Sequence, residues 1–383
     1  MNKEIKYVGF YDTYENSQEN REYTLSATNK MDYISATLNK LGYKILIVSP
    51  SWTKNKQFHK GKIIKLYDDI SLKLFSTLPW GNKIQKALSL IYGDLLLFFY
   101  LITKVNRNET ILVYHSLWLR SIVRFAKKIK KFKVILEVEE IYQDVVSCSK
   151  YTRKEEYKNF VSANGYILST TLLINKLNIA NKPYIIVNGT YQVVDDQKCK
   201  FNDGMIHVVY AGTFDSRKGG GVAAVAAAEY LPKNYHLHII GFGSKEDTND
   251  LLIKIQEISK KSEAIITYDG LLSGEDYIRF LQKCDIGLST QIPSAGYNDT
   301  SFPSKILSYM SNGLRVVTVR IKAVELSTIG NAVYYYEEQT PESIAKTIMS
   351  INIDEYYDSR ALIKKLDVQF TESMKKLLEN KNA

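Results

Sequence analysis

The stretch AGTFDSRKGGGVAAVAAAEYL, Ala211–Leu231, carries the signal that sets the architecture of the whole chain. A β-like run ends at Gly212. A short loop then brings Arg217 and Lys218, three glycines follow, and an Ala-rich helical run begins near Val222. Glycines expose backbone N–H groups, and a helix N-terminus favours anions. Two cations just ahead of such a helix fit a diphosphate. The same letters also fit a flexible glycine turn with charged surface residues.

Working outward, the strand–helix alternation repeats on both sides. After Gly204 the β-like runs are IHVVYAGTF (Ile206–Phe214), HLHIIGFGS (His236–Ser244), AIITYDG (Ala264–Gly270), CDIGLSTQ (Cys284–Gln291) and LRVVTVR (Leu314–Arg320). Before it they are KYVGFY (Lys6–Tyr11), YKILIVSP (Tyr43–Pro50), TILVYHS (Thr110–Ser116), KVILEVEE (Lys133–Glu140), GYILST (Gly165–Thr170) and YIIVNGT (Tyr184–Thr190). Helical patterns lie between them, such as Leu25–Leu41, stopped by Gly42. Near-continuous apolar strands alternating with helices predict parallel sheets covered on both faces. The polar stretch Val193–Gly204 breaks the pattern. The expected class is therefore α/β, with two facing Rossmann-like domains over 1–195 and 205–350 and a polar helical segment over 351–383. Ligands of open parallel sheets bind beyond the strands' C-terminal ends, so the loops after strands are where chemistry is expected.

A second motif is NDTSFPSKILSYMSNGLRVV, Asn298–Val317. Pro303 suits the first helical position, with Phe302 or Ser301 near the cap. Lys305 then opposes the helix dipole in the first turn, a conflict that a bound anion removes; a lysine snorkelling into solvent is the plainer reading. Gly241 and Gly243 end another strand and, with TYDGLL (Thr267–Leu272), offer backbone against which a nucleobase could lie. His115 ends the strand TILVYHS, and Glu139 and Glu140 end the next; these three are candidate catalytic or acceptor-binding groups, with packing and capping as the alternative roles. The acidic pairs Asp68–Asp69 and Asp195–Asp196 read as loop residues, so no catalytic metal is expected.

Bulk properties narrow the partners. Residues 1–190 carry 29 Lys and Arg against 16 Asp and Glu, while the remainder carries 22 against 25. A basic half attracts anionic lipid or substrate, or is solvated surface. No nucleic-acid motif accompanies it. Cys148, Cys199 and Cys284 lack metal-ligand spacing and fit reduced thiols. The opening MNKEIKYVGFYD runs from charge into a strand, so no secretory signal is expected. ALSLIYGDLLLFFYLITKV, Ala87–Val105, is long and apolar, but Gly93 and Asp94 interrupt it; it reads as a buried helix in preference to a membrane span.

These phrases, in this order, resemble the GT-B glycosyltransferases, particularly the large family 4 of retaining enzymes. VVYAGTFDSRKGG, LHIIGFGS, YDGLLSGEDYIRFLQKCDIGLS and SFPSKILSYMSNGLRVV match its successive C-terminal blocks, and the likeness extends over nearly the whole chain. A looser likeness is to members that assemble bacterial surface polysaccharides, including capsule. The resemblance implies a nucleotide-sugar donor used as substrate with no resident cofactor, and a carbohydrate or lipid-linked acceptor. It also implies a cytoplasmic enzyme in peripheral contact with an anionic membrane surface. It makes Lys218 the diphosphate-binding lysine, Lys305 and the Ser304 backbone the donor-binding helix start, and Gly270 and Leu271 base-contacting positions. His115 is similar to a histidine that approaches the donor sugar, and the final helix to a segment that crosses back onto the first domain. Gly212 ends the strand as in the family, but Thr213 stands where an arginine is common, and the resemblance leaves open whether Arg217 substitutes for it. Thr300 and Ser308 stand where two glutamates are common, the second on the ribose. The glycine-rich loop after the first strand is reduced to Gly9. The alternative reading is a non-catalytic GT-B subunit that binds a glycan or a partner.

Overall fold

In the computed structural model, which describes residues 3–145, 148–179, 181–197, 199–215 and 218–380, the chain forms two compact units. The first comprises residues up to Val187 together with those from Gln369 on; the second is Asn188–Val368. The polar stretch Val193–Gly204 falls inside the second unit. The chain returns to the first within the helix Ser359–Glu379.

The first unit holds β1 (Lys3–Val8), β2 (Tyr43–Ser49), β3 (Lys62–Tyr67), β4 (Ile70–Leu74), β5 (Thr110–Tyr114), β6 (Lys133–Val138), β7 (Gly165–Leu168) and β8 (Tyr184–Ile186). Their order is β3-β4-β2-β1-β5-β6-β7-β8, parallel throughout except the β3–β4 hairpin. The helix Leu25–Lys40 stops where expected, with Gly42 at φ 83°. The second unit holds β9 (Ile206–Thr213), β10 (Tyr235–Phe242), β11 (Ile265–Gly270), β12 (Ile286–Ser289), β13 (Arg315–Val319) and β14 (Tyr334–Tyr336). Its all-parallel order is β11-β10-β9-β12-β13-β14. Each sheet therefore reverses its winding once, between β1 and β5 and between β9 and β12. The crevices beyond these strand pairs are where an open α/β sheet receives ligands.

Apolar strand residues explain the burial of both faces. In the first unit Val8, Val48, Ile111, Val113, Val134 and Leu136 pack with Leu97, Leu101, Val123 and Phe160 from the covering helices. The apolar run expected as a buried helix departs from that expectation. It forms the helix Lys83–Lys104, started by an Asn82–Gln85 capping box. Only Ser89, Leu97 and Leu101 in it are buried. Ile84, Leu88, Ile91, Leu95 and Phe99 form an exposed stripe, Ile84 at 71%. The reason is geometric: the run is apolar all round, so its sequence does not say which face packs. It is also the one described helix long and apolar enough to cross a membrane, with mean hydropathy 1.5.

One buried polar knot stands out in the first sheet. Glu137 of β6 is fully buried and accepts a hydrogen bond from the Tyr7 hydroxyl of β1. Lys30 of the helix Leu25–Lys40 lies 3.1 Å from Glu139 Oε1 and donates to the Val187 carbonyl at 2.9 Å. Burial, reinforced by the Glu139 charge, pushes the Glu137 carboxyl up to about 8 from 4.5. A carboxyl raised in the fold favours the protonated state. Its contribution to stability is present below the unfolded value and is lost as pH rises through about 8. The Glu137→Gln variant is therefore expected to lose less thermal stability than the parent between pH 5 and pH 9, read from melting curves across that range. Parallel curves would show that Glu137 is ionised in the fold.

Candidate functional site

The second unit's crevice is built from the end of β9. Tyr210 directs its hydroxyl to the Thr213 carbonyl at 3.3 Å. Beyond the strand, the Lys218 and Gly219 amides bond to the Asp215 carbonyl at 3.0 and 3.1 Å, and the helix Gly220–Ala227 begins. Arg217 lies outside the described residues. The loop after β12 is fastened to this one: Thr290 Oγ1 donates to the Gly220 carbonyl at 2.7 Å and the Ile292 amide to that of Lys218 at 3.2 Å. Gly220 is required there, since a Cβ would sit 2.5 Å from the Thr290 oxygen and 2.8 Å from the Tyr210 hydroxyl. Gly241, at φ 140°, is required in the same way: a Cβ would fall 1.8 Å from the Gly212 oxygen, so the ends of β9 and β10 close up only around glycine.

Into this frame the short helix Lys305–Ser311 delivers Lys305. Tyr309 anchors it beneath the sheet, accepting the Ala211 N–H at 2.8 Å and donating to the Leu288 carbonyl at 3.2 Å. The helix starts later than expected. Ser304 is the cap, already in αR, and Pro303 and Phe302 precede it, because the Ile306 and Leu307 amides close tighter three-residue turns onto Pro303 and Ser304. Phe302 is buried, and Ser304 is exposed. The Lys305 ammonium lies 4.1 Å from the Tyr210 ring centroid and against Gly212. By surface area the residue is only half-buried, but its ammonium is enclosed by protein atoms. That burial, with the Lys218 charge adding, pushes it down to about 7. Neither Lys305 nor Lys218 has an ion pair among the described residues; Lys218 stands 5.8 Å over the Tyr297 ring.

The other donor-side candidates share this end of the sheet. Gly243 packs tightly under Phe214, and Thr213 is exposed at the strand end. Gly270 and Leu271 lie open at the end of β11, two strands from β9, with Leu271 62% exposed. Ser308 is half-buried, its hydroxyl 3.4 Å from that of Tyr277. The sequence does not single out Tyr210 or Tyr309. Both sit inside apolar-looking runs, and only the packing of a helix under the strand ends reveals them.

In the first unit, His115 is 2% exposed, one residue past β5. Its Nε2 lies 2.9 Å from Oε1 of the fully buried Glu156, an oxygen that also accepts the Tyr142 N–H at 3.0 Å. Glu139 pairs with Lys30, and Glu140 is half-buried and engaged. The accessible space lies beside them. A cavity of about 270 Å³ is lined by Phe10, Tyr23, Trp52, Tyr114, Trp118 and Tyr142, beyond the C-terminal ends of β1, β2 and β5. Trp52 stacks on Trp80 at 5.8 Å and meets Trp118 edge-on at 5.2 Å. Sequence reading did not join these tryptophans. The signal available was that each follows a strand end.

Residues 206–354 match the family model described as "Glycosyl transferases group 1". They form a group 1 glycosyltransferase domain. No curated protein matches the chain. Among solved structures, the chain is similar to one described as trehalose-6-phosphate from E. coli bound with UDP-2-fluoro glucose, at 9% identity over 99% of each chain with a TM-score of 0.68. It is similar to sucrose-phosphate synthase from Thermosynechococcus elongatus, at 12% identity over 98% of this chain and 99% of that one, TM-score 0.68. Anabaena HepE in complex with UDP gives 11% identity, the same coverage and the same score. At such identities the likeness is one of fold, and the fold is GT-B. The group 1 domain contains Lys218, Lys305 and the glycines around them.

A cation held without a partner in the group 1 domain costs stability. With its pKa lowered from 10.5 to about 7, Lys305 destabilises the fold most below pH 7, and the cost fades as pH rises toward 10. In the ligand-free protein Lys305→Met is therefore expected to melt about 2–4 °C higher at pH 6.5, the shift that about 1 kcal/mol produces in a domain of this size. The gain shrinks by pH 9.5, and pyrophosphate stabilises the parent more than the variant. A lower melting point for the variant at pH 6.5 would show that the ammonium is already compensated.

Proposed function

We propose that the chain is a glycosyltransferase that moves a sugar from a nucleoside-diphosphate donor, a UDP-sugar in the first instance, to a carbohydrate or lipid-linked oligosaccharide in bacterial polysaccharide assembly. The observation that carries this reading is the pair of ammonium groups, Lys218 and Lys305, which have no ion pair among the described residues, at the glycine-opened end of β9. The bond from the sugar's anomeric carbon to the diphosphate oxygen breaks, the acceptor oxygen bonds to that carbon, and the acceptor proton is released. The leaving diphosphate gains negative charge, which positioned cations stabilise most when water is excluded. Gly270 and Leu271 take the base, and Ser308 stands toward the ribose. We read the enzyme as retaining and of family 4, with both lysines supplying the charge stabilisation. The UDP and UDP-2-fluoro glucose named for two structural neighbours support this donor class. The aromatic cavity of the first unit offers ring faces for an acceptor sugar. A panel of nucleotide sugars, read by mass spectrometry for transfer and by thermal shift for binding, tests the reading. Lys218→Ala is expected to lower turnover by at least about 100-fold, as removal of one preorganised transition-state donor does. Near-normal turnover in the folded variant would remove Lys218 from the site, and binding without transfer to any acceptor would favour a glycan- or partner-binding subunit.

The lipid-linked acceptor is supported by the first unit's surface, though not by several of the lysines behind its basic excess. Lys54, Lys62 and Lys65 pair with Glu22, Glu19 and Asp68, and Lys127 is tied to the Ser162 carbonyl and Asn164. The better support is the exposed stripe Ile84, Leu88, Ile91, Leu95 and Phe99, continued by Phe125 on the helix Arg120–Lys130 through the Phe98–Phe125 stack at 5.5 Å. Exposed Lys83, Lys86, Lys104, Lys128 and Lys131 flank it, the pattern of a helix lying in an anionic lipid interface. Each leucine withdrawn from water is worth about 1.5–3 kcal/mol. Leu88→Glu with Leu95→Glu should therefore cut co-sedimentation with phosphatidylglycerol vesicles at least tenfold. Undiminished binding would exclude the stripe as the contact.

A further inference from the structure

Three of the chain's five histidines meet on one face of the second sheet. His236 of β10 is the register partner of His207 of β9, and His238, two residues on, shares the face of His236. The group lies toward the N-terminal ends of these strands, roughly 16 Å along β9 from Gly212 at about 3.3 Å per residue. It takes no part in the donor site.

The outer ring nitrogens have partners. His207 Nε2 lies 3.0 Å from Asp203 Oδ1, His238 Nδ1 lies 3.1 Å from Asp269 Oδ2, and His236 Nε2 lies 3.1 Å from Thr267 Oγ1. The inner nitrogens of two rings face each other: His207 Nδ1 and His238 Nε2 are 2.9 Å apart. A carboxylate only accepts, so the outer nitrogens of His207 and His238 carry their rings' protons. A neutral imidazole has one N–H, and two lone pairs then confront each other across that gap. A positive centre between them resolves the conflict. Carboxylates behind the rings and lone pairs in front are the outer-shell arrangement that orients metal-bound histidines. One nitrogen from each of the three rings lies within 4.8 Å of the others. Ligands of a tetrahedral zinc, at about 2.0–2.1 Å each, stand about 3.4 Å apart. The His207–His238 pair need open by only about half an ångström to reach that spacing, while His236, stacked 3.9 Å on His238, rotates out of that stack to bring in the third nitrogen.

We propose that His207, His236 and His238 bind a borderline divalent transition metal, zinc in the first instance, with Asp203 and Asp269 orienting the ligands and water completing the shell. An all-nitrogen set selects against magnesium and calcium, which prefer oxygen. Phe201, stacked 4.0 Å over His207, and Phe280, 5.1 Å edge-on to His238, wall the rings in. The ion fastens β9 to β10 and to the segment bearing Asp203. It stabilises the second unit without entering the transfer step, so its test is independent of that reading.

The full chain, stripped with EDTA and dialysed, is titrated with CoCl2 while visible d–d bands are followed, and with ZnCl2 by calorimetry. One ion per chain and a raised melting temperature are expected. Asp203→Asn, at a carboxylate 45% exposed and so safe for folding, weakens affinity about 10–100-fold. His236→Gln, at the half-buried ring, weakens it at least as much, while His59→Gln in the first unit leaves it unchanged. Absence of binding by the parent chain, the result if a shared proton fills the gap, overturns the site. Unchanged affinity in both Asp203→Asn and His236→Gln overturns it equally.

Discussion

The Lys305 ammonium, enclosed against the Tyr210 ring with Lys218 as its nearest charged neighbour, is the constraint around which the second unit is arranged. Holding it there takes a helix anchored by the Tyr309 hydroxyl, a strand end bare of side chain at Gly212, and a neighbouring helix start bare at Gly220. Any Cβ at Gly212 would meet the ammonium itself at 2.9 Å. Electrostatics works against every part of this arrangement while no anion is bound, since desolvation and a like charge both oppose the protonated amine. The buried strands β9, β12 and β13 offset that cost. The unit therefore holds positive charge at the end of β9 at a cost to its own stability.

How much of this the sequence shows depends on whether a property is local. Strand–helix alternation, the glycine-rich turn before Gly220, the Gly42 stop and the Lys218 and Lys305 positions are local, and all were readable. Three features were not. The β3–β4 hairpin hides in a basic stretch whose lysines draw attention to charge. The helix Lys83–Lys104 is apolar all round, so its packed face is set by tertiary contacts alone. Trp52, Trp80 and Trp118 lie far apart in sequence and converge only because three parallel strands end together. The histidine group is an intermediate case: His236 and His238 announce a shared face by their spacing, but His207 joins them only through register.

The two winding reversals are furnished differently. Beyond β9 and β12 the furniture is cationic and glycine-rich, which suits phosphate. Beyond β1 and β5 it is aromatic, with Phe10, Trp52 and Trp118 around one cavity, which suits a sugar ring or an isoprenoid-like chain. The same fold rule places both crevices, and side-chain chemistry alone separates their roles.

The contrast in pairing sharpens the division. In the first unit the buried ionisable groups come with partners: His115 with Glu156, Glu137 with Tyr7, Lys30 with Glu139 and the Val187 carbonyl. Removing one member of such a pair leaves a buried polar group without its hydrogen-bond partner and costs about 1–3 kcal/mol, which fits a structural role for these contacts. In the second unit the Lys305 ammonium is enclosed by protein atoms although the residue is half-exposed; it has no ion pair among the described residues, and its neighbour Lys218 has none either. Packing alone would favour a leucine or methionine at such a position. An ammonium retained there, against desolvation and against a second cation, is the feature on which the proposed donor site rests.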